Sequence, residues 1–241
     1  MTNLSKRFFS SVILVLTLVL LILQGGVWFD ILCGALFLGL ISEWTKLWWQ
    51  RPKSEYTITS IILIIAGLVY ICFAMYQYWS LKELPHKQMM TFLIVWSTDV
   101  GAYVVGKKFG KTPLAPTISP KKTWEGFWGG ILTCIVICSG VMYAQLATLA
   151  PYSDTSSWIN NFFGSISLFS TLVFGIRFTF YSVAAHLGDL LESWVKRYLG
   201  VKDSGNLIPG HGGVLDRFDS FLGVCMAYYV KDILHYYGIF F

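Results

Sequence analysis

Seven apolar runs of near-bilayer length constrain what this chain can fold into. A helix needs about 20 mainly apolar residues to cross the hydrocarbon core of a bilayer, where its backbone polar groups must be satisfied internally. The runs lie at 8–23, 27–48, 57–80, 89–105, 126–149, 162–187 and 215–236. The sequence therefore predicts an all-α polytopic membrane protein with about seven transmembrane helices, within a range of six to nine.

The composition agrees with a chain that lies mostly in lipid. Of its 241 residues, 55% are hydrophobic and 13% are charged, and the mean hydropathy is +0.61. The net charge of +5 suits an anionic membrane surface or an anionic ligand. It does not indicate nucleic acid, because the basic residues lie in loops rather than along one helix face. All five cysteines lie in apolar segments, and no disulfide framework follows. Cys134 and Cys138 are one helical turn apart, and we expect inert membrane-buried thiols there rather than a metal pair, because no His or acid accompanies them.

The distribution of Lys and Arg among the loops predicts an orientation. With a cytoplasmic N-terminus, the basic loops at 46–57, 106–123 and 192–213 lie inside, as the positive-inside rule requires. The turn at 24–26 and the loop at 151–161 lie outside and lack both residue types. Only Lys82 and Lys87 run against this pattern. We predict a single integral membrane domain over 1–241, with N-terminal helices in 1–87 and the catalytic part in 88–241.

Two charged residues interrupt apolar runs. Asp99 lies inside the fourth run, where an unpaired carboxylate is costly, so we expect it to face the bundle interior or its cytoplasmic mouth and to serve function. A capping or helix-packing role is the alternative. Arg177 interrupts the sixth run, and we interpret it as a snorkelling residue at a break between two shorter helices. The alternative is a buried charge with a partner.

The basic loop at 106–123 contains five lysines and no acid. Ser119 and Pro120 resemble an N-cap followed by a proline in the first helical turn, which would place Lys121 and Lys122 at the start of a helix. Exposed helical N–H groups beside two lysines form a plausible phosphate site. Attachment of the loop to anionic lipid headgroups is an equally good interpretation.

A polar stretch at 188–220 follows the sixth run. At 100° per residue, one helix face collects acidic, hydroxyl and basic side chains, namely Asp189, Glu192, Ser193, Lys196 and Arg197. We expect an amphipathic helix at the cytoplasmic face, although a purely structural interfacial helix would look similar.

Five glycines within fourteen residues form a glycine-rich loop after this helix. Closely spaced glycines let backbone N–H groups approach a phosphate. Asp216 and Asp219 come next at an i, i+3 spacing, and oxygen ligands near phosphate-binding groups suit Mg²⁺. Salt bridges to Lys or Arg are the alternative for any one acid, but they explain Asp189, Asp216 and Asp219 together less well.

The same segment carries a family resemblance. Between residues 193 and 219 the chain contains SxxKR, KDSG, IPGHGG and DRxD in order. This pattern resembles the hallmark of phosphatidate cytidylyltransferases, also called CDP-diacylglycerol synthases, and the blocks at 99–103 and 119–126 resemble the family as well. The chain departs from the pattern at His186, where a Gln or a small residue is expected, and this affects the packing near Asp189.

The resemblance implies that CTP and phosphatidic acid give CDP-diacylglycerol and pyrophosphate, with Mg²⁺ required and a second cation left open. The metal would be held by Asp189, Asp216 and Asp219. Catalytic roles fall to Asp189, Lys196, Arg197, Asp216, Arg217 and Asp219. Substrate-binding roles fall to Asp99, Lys121, Lys122, Ser193, Lys202, Asp203, His211, Gly212 and Gly213. For Ser193, as for Ser220, capping or packing is an equal alternative. The expected location is the bacterial inner membrane, with the active site facing the cytoplasm.

Two other functions compete with this interpretation. A transporter would distribute acids and helix breaks near the bilayer midplane, often in paired halves. Here the polar groups gather at one face and no internal repeat is evident, which disfavours a transporter. A related CTP-dependent enzyme acting on another lipid phosphate is the closer alternative. The expected partners are CTP, phosphatidic acid and membrane lipids, without nucleic acid, and a homodimer stays open.

Overall fold

The computed structural model describes residues 3–49, 57–149, 155–205, 207 and 212–238, which form eight helices and one two-stranded sheet. The helices are α1 (Asn3–Gln24), α2 (Gly26–Trp49), α3 (Ile58–Trp79), α4 (Pro85–Phe109), α5 (Trp124–Leu149), α6 (Thr155–Ser165), α7 (Leu168–Tyr198) and α8 (Leu215–Tyr236). The antiparallel strands are β1 (Pro113–Ala115) and β2 (Ser119–Thr123).

The structure confirms an all-α polytopic integral membrane protein. Within the described residues, five helices are long and apolar enough to cross a bilayer, namely α2, α3, α4, α5 and α7. The other two predicted spans are also helical: α1 contributes the shorter apolar segment 12–24, and α8 carries charges at both ends. Large apolar side chains such as Ile62, Leu132 and Ile176 point outward, as expected where lipid replaces water around the bundle.

Local sequence signals explain where several helices begin. Gly25 and Gly26 adopt positive φ angles of 64° and 50° between α1 and α2, which confirms the predicted turn. Thr57 and Ser167 each cap the next helix through a capping box. Pro85 opens α4 at a position where its missing N–H costs nothing. The cap at Ser167 separates α6 from α7, so the apolar run predicted from residue 162 spans two helices.

Helix α7 contradicts two predictions. It runs unbroken through Arg177 for 31 residues, so the predicted break is wrong. Phe174, Phe178 and Tyr181 bury their side chains on both sides of the arginine and hold the helix in place. The predicted amphipathic helix is the last part of α7 rather than a separate interfacial helix.

The segment before α5 also differs from the prediction. Ser119 to Thr123 form β2, paired with β1, so Lys121 and Lys122 lie on a hairpin and not at a helix start. The helix begins at Trp124, because Thr123 accepts the backbone N–H of Gly126 at 3.1 Å and so caps the first turn. The N-cap is therefore Thr123, four residues after the predicted Ser119.

Close approach of α7 and α8 positions the polar stretch. A Cβ on Gly188 would overlap the carbonyl oxygen of Asp219, and a Cβ on Gly223 would overlap that of Ala184. Small residues let two helix backbones pack this closely in a membrane protein. The crossing places Asp189, next to Gly188, directly opposite the first turns of α8.

Candidate active site

Carboxylates from three helices meet at one end of the bundle. We call Asp99 on α4, Asp189 on α7 and Asp219 on α8 the carboxylate cluster. The charge of Asp189 acts on Asp99, and both act on Asp219. Ser220 donates its hydroxyl hydrogen to Asp99 Oδ1 at 3.5 Å, which links α8 to α4. The structure thus brings together three acids predicted from separate parts of the sequence.

A lysine from the hairpin enters the same cluster. Lys122 Nζ lies 2.5 Å from Asp189 Oδ2, and the lysine side chain is 21% exposed. On the other side of Asp189, Ser193 donates to Oδ1 at 3.3 Å. Three carboxylates at close range repel one another, and a single lysine does not balance them. The cluster therefore has a local excess of negative charge that favours a cation.

Asp216 lies one turn before Asp219 but has different neighbours. Its oxygens accept from Lys196 Nζ at 2.7 Å, from the backbone N–H of Ser204 at 3.0 and 3.1 Å, and from that of Gly213 at 2.9 Å. Lys196 also pairs with Glu192 Oε2 at 2.6 Å. Asp216 thus anchors both ends of the glycine-rich loop to α7 and α8, while Asp219 belongs to the carboxylate cluster.

Glu43 on α2 is a site residue that the sequence analysis missed. Its side chain is 1% exposed, and Oε2 accepts the backbone N–H of Leu215 at 2.8 Å and the hydroxyl of Ser204 at 3.1 Å. A Cβ on Gly213 would overlap this carboxylate. Glu43 therefore caps the start of α8 and holds the loop from the side opposite Asp216. An acid inside an apolar run was the available signal, and it is the same signal that identified Asp99.

The remaining predicted residues are distributed around this core. Arg197 donates its Nε hydrogen to the carbonyl of Ile118 at 3.2 Å, which ties α7 to the hairpin. Gly212 adopts a φ of 85°, a conformation that glycine tolerates best. Four further predicted residues are exposed at this end: Lys121, Lys202, Asp203 and Arg217. His211 lies outside the described residues.

His186 occupies the position where the resemblance predicts a Gln or a small residue. The ring is 6% exposed and lies 4.8 Å from that of Phe127, centre to centre. A Cβ on Gly130 would come within 2.8 Å of its Nε2. The histidine therefore fills the space between α5 and α7 one turn before Asp189, and glycine at 130 makes room for it.

The carboxylate cluster alone supplies only some of the ligands that a divalent cation needs. Within the part of the chain that the structure describes, no three His, Cys, Asp or Glu side chains surround one point closely enough to hold a metal ion. Mg²⁺ usually takes one or two carboxylates and completes its shell with water and substrate phosphates. Asp189 and Asp219, which face each other across the α7–α8 crossing, fit that requirement.

An apolar cavity of about 220 Å³ adjoins the cluster. Helices α2, α3, α7 and α8 form it, and its lining includes Trp44, Tyr70, Leu191 and Trp194. Glu192 and Asp219 also belong to the lining. The carboxylate cluster and the apolar cavity therefore share Asp219, which is an arrangement that suits an amphiphilic ligand.

Comparisons with known proteins agree with this geometry. Residues 52–234 match the model of the Cytidylyltransferase family. The chain is 38% identical over 224 residues to a phosphatidate cytidylyltransferase from Rickettsia bellii, an alignment that covers 92% of this chain and 87% of that protein. It is 40% identical over 178 residues to the phosphatidate cytidylyltransferase from Bacillus subtilis and 38% identical over 173 residues to that from Staphylococcus saprophyticus. Those two alignments cover 71% of this chain and 58% and 59% of the relatives.

Proposed function

Because the chain belongs to the cytidylyltransferase family, we infer that it transfers CMP from CTP to phosphatidic acid, giving CDP-diacylglycerol and pyrophosphate. It is a nucleotidyltransferase of phospholipid synthesis. The observation that carries this assignment is the carboxylate cluster with Lys122, which shares Asp219 with an apolar cavity. A nucleoside triphosphate suits the charged cluster, and a lipid phosphate suits the boundary between the cluster and the apolar cavity.

The reaction needs positioning more than a protein nucleophile. A phosphate oxygen of phosphatidic acid attacks the α-phosphorus of CTP, and the bond from that phosphorus to the bridging oxygen of the β-phosphate breaks. Pyrophosphate takes the electron pair and leaves. Because the attacking oxygen is already anionic, no Ser or Cys nucleophile is required, and catalysis consists mainly of alignment and charge neutralisation.

Asp189 and Asp219 are the residues we propose to hold Mg²⁺. When bound, Mg²⁺ supplies positive charge against the triphosphate oxygens. Lys122 pairs with Asp189 and can neutralise a phosphate oxygen, and Ser193 orients Asp189 through its hydroxyl. The predicted role of Asp216 as a further ligand stays a prediction, since its oxygens accept from Lys196, Ser204 and Gly213.

We propose that the protein lies in the bacterial inner membrane with this site facing the cytoplasm, where CTP is available. The support is the charge distribution. The hairpin and the glycine-rich loop both lie at the end of the bundle that carries the site, and the segments containing them are rich in Lys and Arg. The positive-inside rule assigns such segments to the cytoplasm.

Incubation of the purified protein with labelled CTP, Mg²⁺ and phosphatidic acid tests the function. We expect a lipid-linked cytidine product and an equal amount of pyrophosphate. Dioleoylglycerol pyrophosphate and an isoprenyl phosphate, offered separately, test the related enzyme that uses another lipid phosphate. Faster transfer to either compound than to phosphatidic acid would overturn the substrate assignment, and no transfer to any lipid phosphate would overturn the function.

A further inference from the structure

Helix α3 forms one wall of the apolar cavity that adjoins the carboxylate cluster. Its lining residues follow a helical spacing and so share one face of the helix: Leu63, Ala66, Gly67, Tyr70 and Ile71. A Cβ on Gly67 would overlap the indole of Trp44 on α2, which also lines the cavity. Helices α2 and α3 therefore pack closely here and shape a cavity whose other walls belong to α7 and α8.

The hydroxyl of Tyr70 is an unused hydrogen-bond donor in this wall. It is buried and has no hydrogen-bond partner among the residues that the structure describes. A buried donor without an acceptor is costly, so such a group calls for an explanation. Trp44, a second ring in the lining, is satisfied, because its Nε1 donates to the carbonyl of Ile64 at 3.1 Å. Tyr70 is thus left to bond a molecule that enters the cavity.

A comparison with Tyr78, about two turns further along α3, shows why the cavity matters. The hydroxyl of Tyr78 also lacks a partner among the described residues. Its ring, however, is fully buried and packs against the rings of Phe29, Phe92 and Phe221, and it does not line the cavity. An unused donor beside an adjoining cavity distinguishes Tyr70 from this residue of the core.

The surroundings of Tyr70 indicate which acceptor fits. The charge of Asp219 on α8 acts on the Tyr70 side chain, so the tyrosine lies near the edge of the carboxylate cluster. Most of the remaining lining is apolar and includes Leu63, Ile71 and Leu222. A buried water typically makes about three hydrogen bonds, and such a lining supplies few partners for it. A carbonyl attached to an apolar group fits better, because it accepts a hydrogen bond and adds no charge beside Asp219.

The lipid substrate proposed above carries such a carbonyl. In phosphatidic acid each acyl chain is attached through an ester, whose carbonyl lies only a few bonds from the phosphate. A phosphate at the boundary between cluster and cavity therefore brings an ester into the cavity. The volume of about 220 Å³ exceeds the roughly 150 Å³ that holds a benzene molecule, so an ester and the start of a chain have room. Leu191 and Trp194 line the cavity and are exposed at the outer surface of the bundle, where the chains can leave toward the membrane.

We propose that Tyr70 is a specificity-determining residue whose hydroxyl donates a hydrogen bond to an acyl ester carbonyl of the lipid substrate. The inference rests on the proposed function, and it assigns the enzyme a preference for diacyl over dialkyl lipid phosphates. An ether-linked lipid keeps the phosphate and the chains but replaces each carbonyl with a methylene group, which leaves the donor unsatisfied. A site built around a hydrogen bond discriminates against an analogue that lacks the acceptor. The substrate site thereby extends from the segment 88–241 into the N-terminal helices.

Dioleoylglycerol phosphate and its di-O-octadecenyl ether analogue test this inference on the purified full-length protein in detergent micelles. Binding affinity and CMP transfer are both measured for each lipid. The unmodified protein should prefer the diester about tenfold in both measurements. Tyr70→Phe, which removes only the hydroxyl, should lose most of this advantage with the diester, change little with the diether and keep the KM for CTP. Tyr78→Phe is the matched control, since it removes an unpartnered hydroxyl from the same helix and should keep the preference of the unmodified protein.

The outcomes separate this inference from the proposed function. Equal use of the two lipids by the unmodified protein would overturn the inference, and that measurement needs no variant to fold. Equal losses with both lipids in Tyr70→Phe would show that the hydroxyl does not bond the ester, and would overturn it as well. Failure of CMP transfer with every lipid phosphate would instead overturn the proposed function, and the binding preference would still decide the role of Tyr70.

Discussion

At the residue scale, two aspartates one helical turn apart have different chemical roles because their neighbours differ. Asp219 faces other carboxylates, and a bound cation would relieve their repulsion. Asp216 faces Lys196 and two backbone N–H groups, which already satisfy a carboxylate. A substitution that removes the charge should therefore disturb cation binding at Asp219 and the anchoring of the glycine-rich loop at Asp216.

The first prediction concerns Asp219. Replacement by Asn keeps the size of the side chain but removes the charge that we propose holds Mg²⁺, so turnover should be nearly abolished. Any residual activity should need more Mg²⁺ or change its preference among Mg²⁺, Mn²⁺ and Ca²⁺. Rates of CMP transfer across a metal titration provide the measurement. Near-normal activity with an unchanged metal requirement would remove Asp219 from the metal site.

Asp216→Asn should give a different signature. The substitution weakens the hold on the glycine-rich loop, so the KM for CTP should rise while the Mg²⁺ concentration for half-maximal rate stays unchanged. The same assay, with CTP and Mg²⁺ varied independently, separates the two effects. An increased Mg²⁺ requirement would instead support the sequence-based prediction that Asp216 is itself a ligand.

Lys121 and Lys122 are adjacent on β2 and differ in surroundings. Lys122 reaches Asp189, whereas Lys121 is exposed. We expect Lys122→Ala to lower kcat/KM at least tenfold, about 1.4 kcal/mol of transition-state stabilisation, and Lys121→Ala to lower it less. Rates at sub-saturating CTP and phosphatidic acid check the difference. Equal losses in both variants would indicate a general electrostatic effect of the loop.

At the scale of elements, the glycine-rich loop is held between two acids from different helices. Glu43 on α2 accepts from Ser204 and Leu215, and Asp216 on α8 accepts from Ser204 and Gly213. The glycine at 213 is needed because a side chain would overlap Glu43. Close packing against a buried acid thus explains the glycines at 205 and 213.

Glu43→Ala should therefore disturb the loop without touching a substrate. Two donors lose their acceptor, which costs about 1–3 kcal/mol each when they are buried. We expect a lower midpoint of thermal unfolding in detergent and a raised KM for CTP, with Glu43→Gln affected less because its amide oxygen still accepts. Ser42→Ala is the control, since that hydroxyl donates to the carbonyl of Gly39 within α2. Unchanged stability and KM in Glu43→Ala would contradict the anchoring role.

The sequence predicted the helices better than their connections, for identifiable physical reasons. Apolar runs such as 126–149 locate helices because length and hydropathy decide whether a segment crosses a bilayer. The hairpin was missed because Ser119 and Pro120 resemble a helix start, and only pairing with β1 excludes it. The continuity of α7 was missed because the burial of Phe174 and Phe178 around Arg177 depends on neighbouring helices.

The candidate site shows the same division between local and long-range information. Motif spacing identified Asp189, Asp219 and Lys122, which do come together. The separation of Asp216 from Asp219 depends on where the loop folds back, and the role of Glu43 depends on a contact across more than 160 positions in the chain. Neither the folding back of the loop nor the contact made by Glu43 leaves a periodic signal in the sequence.

At the scale of the whole molecule, α7 is longer than the hydrocarbon core of the membrane is thick. The 31 residues of α7 extend about 46 Å, whereas the hydrocarbon core is about 30 Å thick. About ten residues of α7 can therefore lie beyond the core, and the polar stretch from Asp189 to Tyr198 is the part suited to water. This length lets one helix both cross the membrane and carry catalytic side chains.

The final prediction assigns the two ends of the bundle to sides of the membrane. Lys111 before β1 and Lys202 in the glycine-rich loop lie at the end that carries the candidate site, and the exposed Glu83 lies in the turn between α3 and α4. If the site faces the cytoplasm, cysteines placed at 111 and 202 should resist an impermeant thiol reagent added to intact cells and react after permeabilisation. A cysteine at 83 should react from outside, as should one at Asp154, which lies outside the described residues. The unmodified protein provides the background from its own five cysteines. Labelling at 202 from outside would reverse the topology and separate the site from cytoplasmic CTP.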